Sequence, residues 1–291
     1  MRTSTLLLVA LAPAACSSSK PAEKKPTASG PADAGAGEVA ERIASTGPLA
    51  EAEFKALHEL RTDAPPVVHG EMIDLAGSKA YLSLPQGKTG PFPGIVVIHE
   101  WWGLNANIQH WADRLAGLGY AALAVDLYNG AVATTPDEAM AAMKNVNEAD
   151  ARRILAAAVD FLGSDPRIQA PRRGVIGWCF GGGWSLQAAI DHPQLDAAVM
   201  YYGRPDTDPA HLRRIHAHLM AIWGNRDQSL PPDAVNGFEK AVKQAGVVAE
   251  FHRYDAEHAF ANPSGPHYQE QAATDAWKQV ARFLGENLSV H

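Results

Sequence analysis

The stretch Gly174-Val175-Ile176-Gly177-Trp178-Cys179-Phe180-Gly181-Gly182-Gly183 constrains this chain more than any other. An apolar run leads into Gly-x-Cys-x-Gly and then into the helix-forming Trp184-Ser185-Leu186-Gln187-Ala188-Ala189. A strand turning sharply into a helix, with a nucleophile at the apex, has this form; it is a nucleophile elbow with Cys in place of the usual Ser. Such a bend leaves no room for side chains two places before and after the apex, a demand that Gly177 and Gly181 meet. Cys179 would also sit at a helix N-terminus, whose positive dipole end favours thiolate. The plainer alternative is a buried structural cysteine beside a glycine-rich turn. Strand, glycines and helix in one stretch speak against it.

An elbow of this kind belongs to a chain that alternates strands with helices. Strands are predicted at 70–75, 80–84, 94–98, 121–125, 173–178, 197–201, 219–223 and 249–254. Gly94-Ile95-Val96-Val97-Ile98 and Ala197-Ala198-Val199-Met200-Tyr201 are short and continuously apolar, as strands buried on both faces of a parallel sheet are. Helices are predicted at 106–118, 136–163, 181–191, 233–245 and 269–288. In the last, Ala273, Trp277, Val280, Ala281, Leu284 and Leu288 form one apolar stripe. The fold class is therefore α/β, with a mostly parallel central sheet flanked by helices on both faces. The 291 residues are 46% apolar, which excludes a wholly disordered chain, and the two cysteines exclude a disulfide scaffold. With 25 Lys and Arg against 32 Asp and Glu, the net charge is −7. A chain of that sign lacks the basic surface that nucleic acid requires.

A nucleophile elbow requires an acid and then a base further along the chain. Ala221-Ile222-Trp223-Gly224-Asn225-Arg226-Asp227 is an apolar strand ending in a turn that carries Asp. Phe251-His252-Arg253-Tyr254-Asp255-Ala256-Glu257-His258 is the next strand with a loop that carries His. Both candidates fall just past the C-terminal end of a strand, where open α/β sheets place their sites. His258 is expected to take the thiol proton and Asp227 to fix its tautomer. Asp255 is a rival to Asp227, three residues from the base on the same loop.

These motifs together resemble the dienelactone hydrolase family of α/β-hydrolases over roughly 66–288. The resemblance rests on His99-Glu100-Trp101-Trp102-Gly103 after the third strand, Gly177-Trp178-Cys179-Phe180-Gly181-Gly182, Gly224-Asn225-Arg226-Asp227 and His258-Ala259-Phe260. It implies an α/β-hydrolase fold and a triad of Cys179, Asp227 and His258. It also implies that Glu100 contacts the resting cysteine and helps to deprotonate it when substrate binds. The oxyanion hole would come from the backbone N–H groups of Trp101 and Phe180, which the geometry of an elbow also requires. Dienelactone-cleaving members carry arginines that hold the substrate carboxylate. Here Asp126-Leu127-Tyr128-Asn129-Gly130-Ala131 and His258-Ala259-Phe260-Ala261-Asn262-Pro263 have none. Asn does not replace a bidentate guanidinium, so a neutral or differently shaped ester is expected.

Other patterns point to less. His99-Glu100-Trp101-Trp102-Gly103 lacks the second histidine of a zinc helix. His211, His216 and His218 read as solvated, and Gly181-Gly182-Gly183 is not followed by the Lys of a phosphate loop. No metal and no cofactor is expected. Trp101, Trp102, Trp178 and Trp184 either line an apolar acyl pocket or pack.

The N-terminus carries addresses rather than fold. Met1-Arg2 and the apolar run from Leu6 to Ala12 form a secretory signal over 1–15. Ala14-Ala15-Cys16 resembles a bacterial lipobox, in which Cys16 becomes the lipidated first residue; cleavage without lipidation is the alternative. Residues 16–37 hold no aromatic and no Leu, Ile or Val, and are expected to be a disordered tether with a reach of roughly 25 Å. Residues 38–64 are expected to form a short helical extension broken at Gly47-Pro48, and 65–291 the α/β domain. The expected location is a bacterial cell envelope, lipid-anchored at the outer membrane or periplasm, or else secreted. A monomer is the simplest assembly.

The sequence therefore predicts a cysteine hydrolase that cleaves a small ester or lactone through an acyl-enzyme. A general carboxylesterase or thioesterase, and a non-catalytic envelope binding module on a hydrolase fold, are the alternatives.

Overall fold

The computed structural model describes Ala52, Phe54 and residues 68–289. The signal, the Cys16 lipidation site, the tether and nearly all of the 38–64 extension lie outside the described residues. From residue 68 onward the chain forms eight strands and seven helices. In chain order these are β1 (Glu71–Leu75), β2 (Ser78–Ser83), β3 (Gly94–Ile98), α1 (Ala106–Gly117), β4 (Ala121–Val125), α2 (Pro136–Lys144), α3 (Glu148–Ser164), β5 (Arg173–Trp178), α4 (Phe180–Asp191), β6 (Ala197–Tyr201), α5 (Pro209–Leu212), β7 (His218–Gly224), α6 (Pro232–Ala245), β8 (Ala249–Tyr254) and α7 (Glu270–Leu288).

One sheet runs β1-β2-β4-β3-β5-β6-β7-β8. β4, β3 and β5 to β8 are parallel, while β1 and β2 join antiparallel at one edge. The expected class, mostly parallel with helices on both faces, is the class observed. β3, β4 and β6 are buried along their whole length, which explains their unbroken apolar sequence. From β3 the chain crosses outward to β4 and then returns to β5 on the other side of β3. This reversal opens a crevice at the C-terminal strand ends between β3 and β5.

Helices cover both faces. Trp111 of α1 packs on Trp277 of α7, with ring centroids 5.0 Å apart. The Arg114 guanidinium lies over Trp277 and over Phe54, 4.3 and 4.4 Å from their centroids. Phe54, from the N-terminal extension, is fully buried there. On the other face α3 packs beside α4, and Arg152 pairs with Asp191. Ser185 Oγ of α4 donates to Val199 O of β6 at 2.8 Å and locks the elbow helix onto the sheet.

The single helix predicted over 136–163 is two helices. α2 ends at Asn145, and Asn147 caps α3 by accepting from the Asp150 N–H at 3.1 Å. A short polar side chain that satisfies a free N–H makes a new helix start cheaper than continuation. Only Ala139 of α2 is buried, so this helix lies lightly on the domain.

Candidate active site

Cys179 occupies φ 54° and ψ −114°, a strained conformation for a residue with a side chain. It is fixed from both sides. Its N–H donates to Tyr201 O at 3.0 Å and its carbonyl accepts from Gly183 N–H at 3.2 Å. The two flanking glycines are needed for different reasons. A Cβ on Gly177 would lie 2.1 Å from Gly181 O, across the bend itself. One on Gly181 would lie 2.3 Å from Ile98 O, so that glycine lets the elbow helix touch the end of β3. Six non-glycine residues among those described have positive φ, and four of them (Asn129, Cys179, Tyr202 and Ala259) lie in the loops at this end of the sheet.

His258 follows β8. Its Nδ1 is 2.6 Å from Asp227 Oδ2, whose side chain is shielded from solvent at the end of β7. Burial opposes a charge on His258, but the hydrogen bond to Asp227 and the proximity of Cys179 outweigh it, and its pKa rises to about 10. Asp227 is burdened by burial in turn. Its bonds to His258 and Ser229 more than offset that and hold it below the usual carboxylate range. Oδ1 accepts from Ser229 N–H at 2.8 Å, Ser229 Oγ at 2.6 Å and Leu230 N–H at 3.1 Å. The rival Asp255 is exposed and pairs instead with Arg226 at 3.3 Å.

Glu100 is sealed beneath this pair. Its Oε2 accepts from Asn262 Nδ2, and Tyr202 OH lies 3.4 Å from Oε1. Burial raises its pKa to about 7, against the opposing pull of His258, Asn262 and Tyr202. The resemblance implied a contact between Glu100 and the resting thiol. The carboxyl is bound to Asn262 and Tyr202, and the thiol of Cys179 helps to raise the His258 pKa. Asn262 lies in the arginine-free stretch after His258 and supplies an amide donor to Glu100. Asn262 is itself held, its Oδ1 accepting from Ser264 N–H at 2.8 Å and from Asn107 Nδ2 at 3.3 Å.

The two predicted oxyanion donors follow the C-terminal ends of β5 and β3, which are neighbours in the sheet. Phe180 opens α4, so its N–H is among the four without an intrahelical acceptor. Trp101 lies in the turn after β3, closed by Gly103 N–H donating to Glu100 O at 3.2 Å. His99 sets that turn. It is wholly buried, which lowers its pKa to about 4, so it is neutral. Leu127 N–H donates to its Nε2 at 3.1 Å, which leaves Nδ1 to donate to Glu100 O at 2.6 Å. The imidazole thus ties the loop after β4 to the loop after β3.

Of the tryptophans, Trp178 packs in the core between Trp111 and Tyr201. Trp101 and Trp102 are half-buried and face each other at 4.9 Å, and Trp184 meets Phe180. His211 is exposed and held by Asp206 at 2.8 Å, away from these groups.

A parallel sheet with a cysteine on a strand-to-helix bend at the switch point, and a histidine and acid after later strands, defines an α/β-hydrolase. The family model for the dienelactone hydrolase family matches residues 78–288, and the chain belongs to that family. It is 34% identical over 234 residues to Protein usf of Aquifex pyrophilus, covering 76% of this chain and 100% of that protein. It is 30% identical over 260 residues to a provisionally named carboxymethylenebutenolidase of Methylorubrum extorquens, covering 83% and 89%. The crystal structure of a dienelactone hydrolase-like promiscuous phosphotriesterase, P91, from metagenomic libraries superposes with a TM-score of 0.69 at 26% identity, covering 76% of this chain and 99% of that one. The protein is accordingly a hydrolase of ester or lactone bonds.

Proposed function

We propose that this hydrolase works through a Cys179–His258–Asp227 triad and an acyl-enzyme on Cys179. The observation that carries this reading is His258, whose Nδ1 lies 2.6 Å from Asp227 Oδ2 and whose pKa the thiol of Cys179, on its strained bend, helps to raise. With its pKa near 10, His258 is protonated at neutral pH, a charge that favours the reactive thiolate form of a neighbouring cysteine. The thiolate adds to the ester carbonyl, and the oxyanion is held by the Trp101 and Phe180 N–H groups. The leaving alkoxide takes the His258 proton as the C–O bond breaks, giving a thioester. Neutral His258 then accepts a proton from water as that water attacks, and the thiol is released with the acid.

The substrate is a small neutral ester or lactone. No arginine follows Tyr128 or His258 closely, and Asn262 spends its amide on Glu100. Acylation by p-nitrophenyl acetate, read as an initial burst and as a 42 Da gain on Cys179, tests the mechanism. Cys179→Ala is expected to abolish both and to lower turnover by several orders of magnitude. A variant that still turns over at the wild-type rate refutes the triad. Neutral lactones should be cleaved faster than lactones bearing a carboxylate, and the reverse preference refutes the substrate reading.

We infer further that the enzyme is exported and lipid-anchored through Cys16, from the short apolar run before Ala14-Ala15-Cys16 and the apolar-poor stretch after it. Metabolic labelling with palmitate, lost in Cys16→Ser, is the expected result. Equal labelling of both forms would refute it.

A further inference from the structure

Tyr128 follows β4 and is almost wholly buried, yet its hydroxyl has no hydrogen-bond partner. A buried hydroxyl left without a partner is destabilising, so its persistence calls for a reason. The ring is firmly placed. It meets His99 edge-on at 4.5 Å and Phe180, the residue after Cys179, at 5.2 Å. Its own N–H donates to Asp126 Oδ1 at 2.8 Å. Burial, and then the proximity of Cys179, oppose its ionisation, so the hydroxyl keeps its proton and lies within electrostatic reach of the sulfur. It does not hydrogen-bond the sulfur itself.

Position decides what the hydroxyl serves. In the sheet, β3 and β4 lie to one side of β5, and β6, β7 and β8 to the other. His258 arrives from the β8 side, and the leaving group must face it to receive a proton. The carbonyl oxygen then points to the β3–β4 side, where Trp101, Phe180 and Tyr128 lie. We propose that the Tyr128 hydroxyl is a third oxyanion donor, left unpartnered until a tetrahedral intermediate forms. As the thiolate adds to the carbonyl carbon, the C=O π pair moves onto oxygen. The hydroxyl then makes a hydrogen bond to that oxygen without giving up its proton. A donor already fixed and desolvated stabilises developing charge without reorganisation.

This rests on Cys179 being the nucleophile, and Tyr128→Phe separates the two claims. The substitution keeps the ring on His99 and Phe180 and removes only the hydroxyl. Three measurements are made on wild type and variant: the acylation burst with p-nitrophenyl acetate, alkylation by iodoacetamide, and thermal unfolding. Alkylation displaces iodide from a saturated carbon and forms no oxyanion, so it reports on the thiolate alone. We expect acylation to fall about 10- to 100-fold, with alkylation within twofold of wild type and no loss of thermal stability. Unchanged acylation overturns the proposal while leaving the triad standing, provided Cys179→Ala is inactive. An equal fall in alkylation places the hydroxyl's action on the sulfur and also overturns it. So does a lower melting temperature, which would show the hydroxyl to be used within the fold. Full acylation of Cys179→Ala overturns both claims.

Discussion

Two carboxyl groups act on one imidazole, and they are tuned in opposite directions. Asp227, after β7, and Glu100, after β3, are both nearly sealed from solvent, at 3% and 4% exposure. Burial raises the pKa of each. In Asp227 the rise is more than offset, because His258, two groups of Ser229 and the Leu230 N–H all donate to it. In Glu100 it is not, because the charge of His258, one amide and a phenol at 3.4 Å do not offset burial, and its pKa reaches about 7. The number of donors aimed at a buried carboxyl, rather than burial alone, therefore decides whether it stays ionised. Asp227 can serve as a fixed negative charge for His258. Glu100 changes charge near neutrality and can serve as a proton-linked group.

The sharpest test of this contrast is Asp227→Asn. The amide keeps the shape but supplies no charge, and its NH2 can turn toward Nδ1 and enforce the wrong tautomer. In a serine triad such a change costs about 10⁴-fold. Here about 10³-fold in kcat/KM is expected, because a thiol ionises more readily than a hydroxyl. The loss should be largest near neutral pH, where His258 would no longer be held protonated. A loss under tenfold would mean that Glu100, and not Asp227, supports the imidazole.

The next test concerns Glu100. A carboxyl whose folded pKa, about 7, lies above its unfolded value of 4.5 binds more protons in the folded state between those limits. Its contribution to stability is complete below about pH 4.5 and is lost as pH rises through about 7. Glu100→Gln keeps an acceptor for Asn262, turns an NH2 toward Tyr202 in place of the oxygen that Tyr202 donates to, and does not titrate. Denaturant unfolding at pH 5 and pH 8 should therefore favour the variant progressively, by up to about 3 kcal/mol over that interval. A constant difference between the two proteins across the range would show that Glu100 is ionised throughout.

These two carboxyls also mark what a sequence can disclose. The elbow is legible because its constraints are local: an apolar strand, glycines two residues to either side, and a helix. Asp227 and His258 are legible because chain order and strand ends place them. The fold class follows from unbroken apolar strands such as 94–98, but the reversed direction of β2 has no such mark. The division at Asn145–Asn147 leaves no mark in the sequence pattern, because the helical spacing of apolar residues runs on across it and a capping Asn weighs little there. Glu100 is visible only through family resemblance. Its partners Tyr202 and Asn262 sit 102 and 162 residues away, and no local pattern sets them apart from ordinary packing residues. The same holds for Tyr128, whose role depends on what its hydroxyl lacks.

The smallest expected effect isolates one donor. Ser229→Ala removes the Oγ that lies 2.6 Å from Asp227 Oδ1 and leaves the Ser229 and Leu230 N–H groups on the same oxygen. It also removes a hydroxyl 3.3 Å from His258 Nδ1. A charge-assisted bond is lost, but two others keep the carboxylate oriented. The pKa of Asp227 should rise from its lowered position while staying far below neutrality, so Asp227 remains ionised at pH 7. A fall in kcat/KM of about 3- to 10-fold is expected there, with a steeper loss toward acid pH as the less stabilised carboxylate takes up a proton sooner than in the wild type. A variant as impaired at pH 7 as Asp227→Asn would show that the hydroxyl alone holds the acid in place. The backbone donors would then be incidental, and the contrast with Glu100 would reduce to a single side chain.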